Sequence, residues 1–295
     1  MSPFSCDSDH LVRGVLHQGA LRVAAVRTTR LTGEICRLQQ TDPTATVALG
    51  RLITAAALMS SLLKDNQRLA LSVEGSGPLK KLQAEADAAG HICATIKVPQ
   101  CNLPPRDGHF DVAQAIGRAG FLRVIKDLGL KEPYQGMVQL ISSEIGEDLA
   151  HYFAVSEQTP TSMALAVQLD HGAAIQASGG FLIQALPGCD ENLLDEIEQR
   201  IHSLPPVSRL LNDGTTPTQL LTRLLEPHAL DLSQPLPLNF RCQCSRQRIL
   251  DMLTGLEQET LNDLAQQQEG AVITCEYCKT AYSFAREELR RLVKE

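Results

Sequence analysis

Four cysteines near the end of the chain have the type and spacing to do chemistry. Cys242 and Cys244 lie in FRCQCSRQRI, and Cys275 and Cys278 lie in VITCEYCKTAY. The first pair encloses one residue and the second encloses two, with 30 residues between the pairs. Two close pairs brought together supply four thiolates, the donor set of a closed tetrahedral Zn²⁺ site. The C-x-C half is the less ordinary one, because most structural zinc sites use wider spacing. A disulfide needs Cα atoms about 4.4–6.8 Å apart, and extended residues two apart sit near the upper edge of that range. Cys242 and Cys244 can therefore oxidise onto each other if the local backbone curls. Thiolates are the species that oxidants attack. Oxidation of both pairs would remove every metal ligand. Structural zinc contributes on the order of 10–16 kcal/mol, so its loss should unfold a small module. The pattern reads as a metal site that an oxidant can switch. Two pairs of buried free thiols and a lone redox C-x-x-C are the alternatives. A thioredoxin-type pair belongs at a helix start in a βαβ setting, whereas Cys275 and Cys278 fall between two strand candidates.

The elements that must position these thiols lie in residues 238–295. AVIT before Cys275 and TAYSF after Cys278 predict two strands joined by a turn, the shape of a zinc knuckle. The stretch between the pairs offers one or two short helices, and REELRRLVKE predicts a last one with Leu289, Leu292 and Val293 inward. Tyr277, Tyr282 and Phe284 are expected to form the small core. So few large apolar residues call for a metal or disulfides.

Residues 187–237 read as a helical, acidic linker with 8 acidic and 3 basic residues. Leu193, Leu194, Ile197, Ile201 and Leu204 form an apolar stripe on one helix. Thr216 caps a second helix with Pro217 inside its start, and HALDLSQPLPL reads as an extended connection. Short helices of this kind depend on docking against something else. Residues 1–186 read as one mixed α+β core domain. Thr41-Asp42-Pro43 can cap a long apolar helix, RLALSVEGSGP, HICATIKV, FLRVIKD, GMVQLIS, SMALAVQL and GGFLIQALP are strand candidates, and SEIGEDLAHYFAVSEQ is a helix. The fold class is α+β, without regular βαβ units.

Composition narrows the function. The 295 residues carry a net charge of −7, no Trp and few aromatics, which argues against a general nucleic-acid binder or a base-stacking platform. No signal peptide is visible, and the longest mostly apolar run is too short to span a bilayer, so a cytoplasmic protein in a reducing compartment with no membrane partner is expected. Cys6, Cys36, Cys93, Cys101 and Cys189 are scattered and read as structural, with Cys93–Cys101 or Cys189 as secondary redox candidates. GSGP lacks a P-loop ending, the histidines show no metal spacing, and no hydrolase elbow is present. No catalytic residue and no enzyme activity are expected.

The cysteine signature at the end of a chain of this length is similar to that of the redox-regulated heat-shock chaperone family of thirty-three kilodaltons. GRLITAAALMSSLLK, VEGSGPLKKLQAEADAAGHI and PYQGMVQLISSEIGEDLAHYFAVSEQTP resemble that family's N-terminal core, so the likeness covers nearly the whole chain. The resemblance implies an ATP-independent holdase that is zinc-bound and inactive when reduced. It further implies that oxidation forms two disulfides, Cys242–Cys244 and Cys275–Cys278, that the linker then unfolds, and that the protein dimerises and holds unfolding clients. Two competing functions are a zinc-ribbon nucleic-acid module and a thiol–disulfide oxidoreductase using Cys275 and Cys278. The first is disfavoured because residues 238–295 carry 8 basic and 9 acidic residues.

Overall fold

The computed structural model describes residues 8–16, 21–106, 108–266 and 270–292; Cys6 and Val293 lie outside them. The fold is mixed α+β, in two compact units, Met1–Phe240 and Arg241–Glu295.

In chain order the first unit begins with strands β1 (His10–Leu16) and β2 (Leu21–Arg27), then helices α1 (Thr29–Gln39) and α2 (Pro43–Ser60). Strands β3 (Arg68–Gly75), β4 (Lys81–Asp87) and β5 (His91–Ile96) follow, then the short helix α3 (Val112–Ile116) and strands β6 (Gly120–Asp127) and β7 (Tyr134–Gln139). Helix α4 (Ile145–Ser156) leads into β8 (Thr161–Leu169) and β9 (Ile175–Ala185). The remainder comprises α5 (Glu191–Ser203), α6 (Val207–Asn212), α7 (Pro217–Leu225), β10 (Leu230–Leu232), β11 (Leu236–Pro237) and β12 (Asn239–Phe240).

Helix α2 is the centre of this unit. The Asp42 carboxylate accepts the Ala45 N–H at 2.8 Å and Pro43 occupies the first turn, so the start expected from sequence is present. The helix is long and apolar enough to cross a bilayer, yet 89% of it is buried inside the protein. It is a core helix. One apolar cluster joins it to α1, α4 and the inner faces of two sheets. The first sheet runs β10-β1-β2-β9-β8, with β11 also on β1, and the second runs β12-β5-β4-β3-β6-β7. β3, β5, β6, β7, β8, β9, α2 and α4 fall where alternation and helical spacing put them.

The segment set apart as residues 187–237 lies within the first compact unit. Its apolar stripe is docked: Leu193, Leu194, Ile197, Ile201 and Leu204 join Leu220, Leu221, Leu224 and Leu225 of α7. Together they pack against Val12, Leu16, Leu21, Val23, Ala25, Phe181 and Ile183, the outer face of the first sheet. The expected cap of α7 is present as a reciprocal pair between Thr216 and Gln219. The stretch read as a plain extended connection pairs instead with sheet edges. β10 runs antiparallel to β1, with Leu16 opposite Leu230, and β12 runs parallel to β5, with Phe240 opposite Ile92. Edge strands leave unpaired backbone groups, and these short strands satisfy them. Arg27, 8% exposed, donates from Nη1 to the Leu211 carbonyl at 3.1 Å, a further tie between sheet and segment.

The second unit contains α8 (Arg246–Leu253), α9 (Gln258–Gln266), β13 (Ala271–Thr274), β14 (Ala281–Phe284) and α10 (Arg286–Leu292). β13 and β14 form the antiparallel hairpin expected from AVIT and TAYSF. Among the described residues its buried cluster is Ile249, Leu253, Ala271, Phe284 and Leu289, with Tyr282 and Leu292 packed against it. Tyr277, expected in this core, is half-buried and stands outside the cluster.

Candidate metal centre

Cys275 and Cys278 occupy the tip of the β13–β14 hairpin. The Cys275 N–H donates to the Thr280 carbonyl, and the Lys279 N–H donates to the Cys275 carbonyl, both at 2.9 Å. Lys279 takes the left-handed conformation, φ 60°, that closes the turn. Cys242 and Cys244 come from the irregular stretch before α8, whose first turn is capped by Ser245: its hydroxyl oxygen accepts the Arg248 N–H at 3.2 Å. Arg246 anchors that stretch to the hairpin. Its guanidinium meets Glu288 with both nitrogens at 2.5 and 2.6 Å, donates to the Ser283 carbonyl at 3.1 Å, and lies 4.6 Å over the Phe284 ring.

All four thiols converge. The Sγ atoms of Cys242, Cys244, Cys275 and Cys278 lie within 4.8 Å of one another. Cys242 Sγ is 3.6 Å from Cys275 Sγ, and Cys244 Sγ is 3.3 Å from Cys278 Sγ. Metal–thiolate bonds of about 2.3 Å in a tetrahedron put sulfurs about 3.8 Å apart, so this donor set fits a Zn²⁺-sized ion. The electrostatics agree. Burial and the neighbouring thiols raise Cys242 and Cys244 above the ordinary thiol value. Burial also opposes charge on Cys278, but the Thr280 hydroxyl and N–H and the thiols of Cys244 and Cys275 outweigh it and bring Cys278 down to about 6. Four thiolates at these distances need a positive charge among them.

Two residues beside the thiols were not assigned such positions from sequence. The Thr280 hydroxyl is 3.2 Å from Cys278 Sγ, and the Tyr282 hydroxyl is 3.2 Å from Cys244 Sγ. The Cys244 contact raises Tyr282 to about 12. Period-two alternation from Cys278 through Thr280 to Tyr282 was the available signal. Of the scattered thiols, Cys36, Cys101 and Cys189 are free, so no Cys93–Cys101 disulfide is formed. Burial pushes Cys36 up to about 12, which makes it inert, and Cys101 Sγ sits 3.6 Å from the Asp42 carboxylate.

The family model described as Hsp33 protein matches residues 9–285. A protein of Syntrophotalea carbinolica named 33 kDa chaperonin is 52% identical over 285 residues, covering 97% of this chain and 99% of its own. A 33 kDa chaperonin of Geobacter sulfurreducens is 47% identical, covering 97% and 95%. Among solved structures, the crystal structure of the Thermotoga maritima 33 kDa chaperonin, a heat shock protein 33 homologue, superposes with a TM-score of 0.88 at 32% identity, covering 97% of this chain and 98% of its own.

Proposed function

Because the chain belongs to the Hsp33 protein family, we propose that it is a redox-regulated chaperone that holds unfolding proteins without ATP. Cys242, Cys244, Cys275 and Cys278 are the ligands of one Zn²⁺ in the reduced, inactive protein. A bound Zn²⁺ would supply the positive charge that keeps four neighbouring thiolates ionised and together. The observation that carries this reading is the convergence of those four Sγ atoms within 4.8 Å in a unit whose buried cluster, among the described residues, is Ile249, Leu253, Ala271, Phe284 and Leu289. A unit so small depends on its crosslink.

Peroxide takes two electrons from each neighbouring pair, Cys242–Cys244 and Cys275–Cys278. Each pair gains one S–S bond, and each peroxide, with two protons, becomes two waters. All four donors are then spent and the unit loses its fold. Residues 187–237 undock, and the apolar face formed by Val12, Leu16, Leu21, Val23, Phe181 and Ile183 becomes available to client chains and to a second copy. The active form is a homodimer, and the net charge of −5 in the released segment helps keep it soluble. Limited proteolysis tests the sequence of events. Peroxide should move the first cut into residues 187–237 and a reductant should restore protection. Equal protection of that segment in both redox states contradicts the proposal.

A further inference from the structure

A cleft of about 400 Å³ lies where the first sheet meets the turn after α2, lined by Arg13, Arg22, Ser61, Lys64, Asp231 and Ser233 among others. Strand register explains why charges gather there. Val15 pairs with Arg22 on one side and with Asp231 on the other, so these three side chains share a face, and Arg13 is two residues along on that face. The opposite face, Val12, Leu16, Leu21 and Val23, is occupied by α5–α7. Arg13 donates from Nη1 to the Ser61 carbonyl at 3.0 Å, which fixes the guanidinium over the cleft and leaves its other donors unassigned. Among the described residues, no hydrogen bond or ion pair engages the side chains of Arg22, Lys64 or Asp231. Three cationic groups therefore face one carboxylate in a chain whose net charge is −7. The Ser61 hydroxyl is spent on the Leu58 carbonyl at 2.6 Å, and the Ser233 N–H on the Arg13 carbonyl at 2.8 Å. The donors left are thus the Arg22 guanidinium, the remainder of the Arg13 guanidinium and the Lys64 ammonium, a set suited to a compact multivalent anion.

We propose that this cleft binds a small phosphoryl anion, and that the bound anion clamps β10 and Ser233 onto β1, β2 and the turn after α2. The binding half stands on the cleft alone. The clamping half rests on the proposed release of residues 187–237, because that segment supplies one wall. A ligand that needs both walls binds only the docked state and lowers the open population by a factor of 1 + [L]/Kd.

Calorimetric titration of the reduced full-length protein with inorganic pyrophosphate, and separately with ADP, tests binding. One saturable site is expected, weakened at least tenfold by R22Q and by K64Q, neither of which removes a described hydrogen bond. Tighter ADP binding identifies a nucleotide as the source of the phosphoryl group, and tighter pyrophosphate binding a free polyphosphate; either supports the site. No saturation at millimolar concentration, or equal binding by the variants, overturns it. Chelation at the cysteines would also persist in both variants and so counts against the site. For the clamp, pyrophosphate at tenfold its Kd should slow peroxide-dependent cleavage within residues 187–237 about tenfold. Unchanged cleavage with binding intact overturns the clamp. Absence of any peroxide-dependent cleavage without anion overturns the redox reading and leaves the binding site standing.

Discussion

The Tyr282 hydroxyl lies 3.2 Å from Cys244 Sγ, joining a side chain of the second unit's apolar cluster to one of the four converging thiols. The phenol is placed to donate to a thiolate. Packing of the small core and the charge state of the thiols therefore share one side chain.

Tyr282→Phe keeps the packing and removes the donor. Partners that orient ligands from outside the coordination sphere are typically worth about 10–100-fold in metal affinity. We expect zinc affinity, measured by competition with a chromophoric chelator, to fall about tenfold while the variant still folds with metal. Unchanged affinity would reduce Tyr282 to a packing residue.

Leu224 is fully buried between α7 and the outer face of the first sheet. Leu224→Ala should cost about 2–4 kcal/mol through lost burial and a residual cavity. The cost falls on the docked segment, so the variant should be cut within residues 187–237 and should show some client protection before any oxidant is added. A destabilised variant whose segment stays as protected as the parent would show that the segment does not open separately from the sheet.

The first unit carries its own pH dependence. Asp9 accepts the Leu31 N–H at 2.6 Å on Oδ2, while its buried Oδ1 has no partner among the described residues. Burial raises the carboxyl from 3.8 to about 6, against the hydrogen bonds to Leu31 and Arg30 and the charge of Arg27. A folded value above the unfolded one gives a contribution that is fully present below about pH 3.8 and lost as pH rises through about 6. The gap corresponds to about 3 kcal/mol. Asp9→Asn retains an acceptor for Leu31, so urea unfolding should show a gain over the parent at pH 7.5 that shrinks by pH 5. Burial lowers the neighbouring His10, which has the opposite sign, but it is common to both proteins and cancels in their difference. A constant difference across that range would contradict the assignment.

The sequence made the cysteine centre legible because spacing alone limits which thiols can meet, and the hairpin around Cys275 and Cys278 needed only AVIT and TAYSF. It also revealed the stripe of α5 and the caps of α2 and α7. β1 and β2 were missed for a physical reason. β2 is covered by α2 on one side and by α7 on the other, so LRVAAVR is buried at every position but Arg22 and shows no alternation. β10 and β12 were hidden because strands of two or three residues at an edge take their structure from the partner strand. Period-two alternation puts Tyr282 on the face of Cys278 and Thr280, but its contact with Cys244 spans 38 residues and depends on how the stretch before α8 meets that face.

The most direct measurement records zinc content and suppression of thermal aggregation of an unrelated protein on the same samples, before peroxide, after peroxide, and after a reductant with zinc restored. The account predicts about one Zn²⁺ per chain with little protection at first, loss of zinc together with gain of protection at near-stoichiometric chaperone, and return of both on reduction. Protection that is already full in the zinc-loaded reduced protein, or that rises while zinc stays bound, would contradict it.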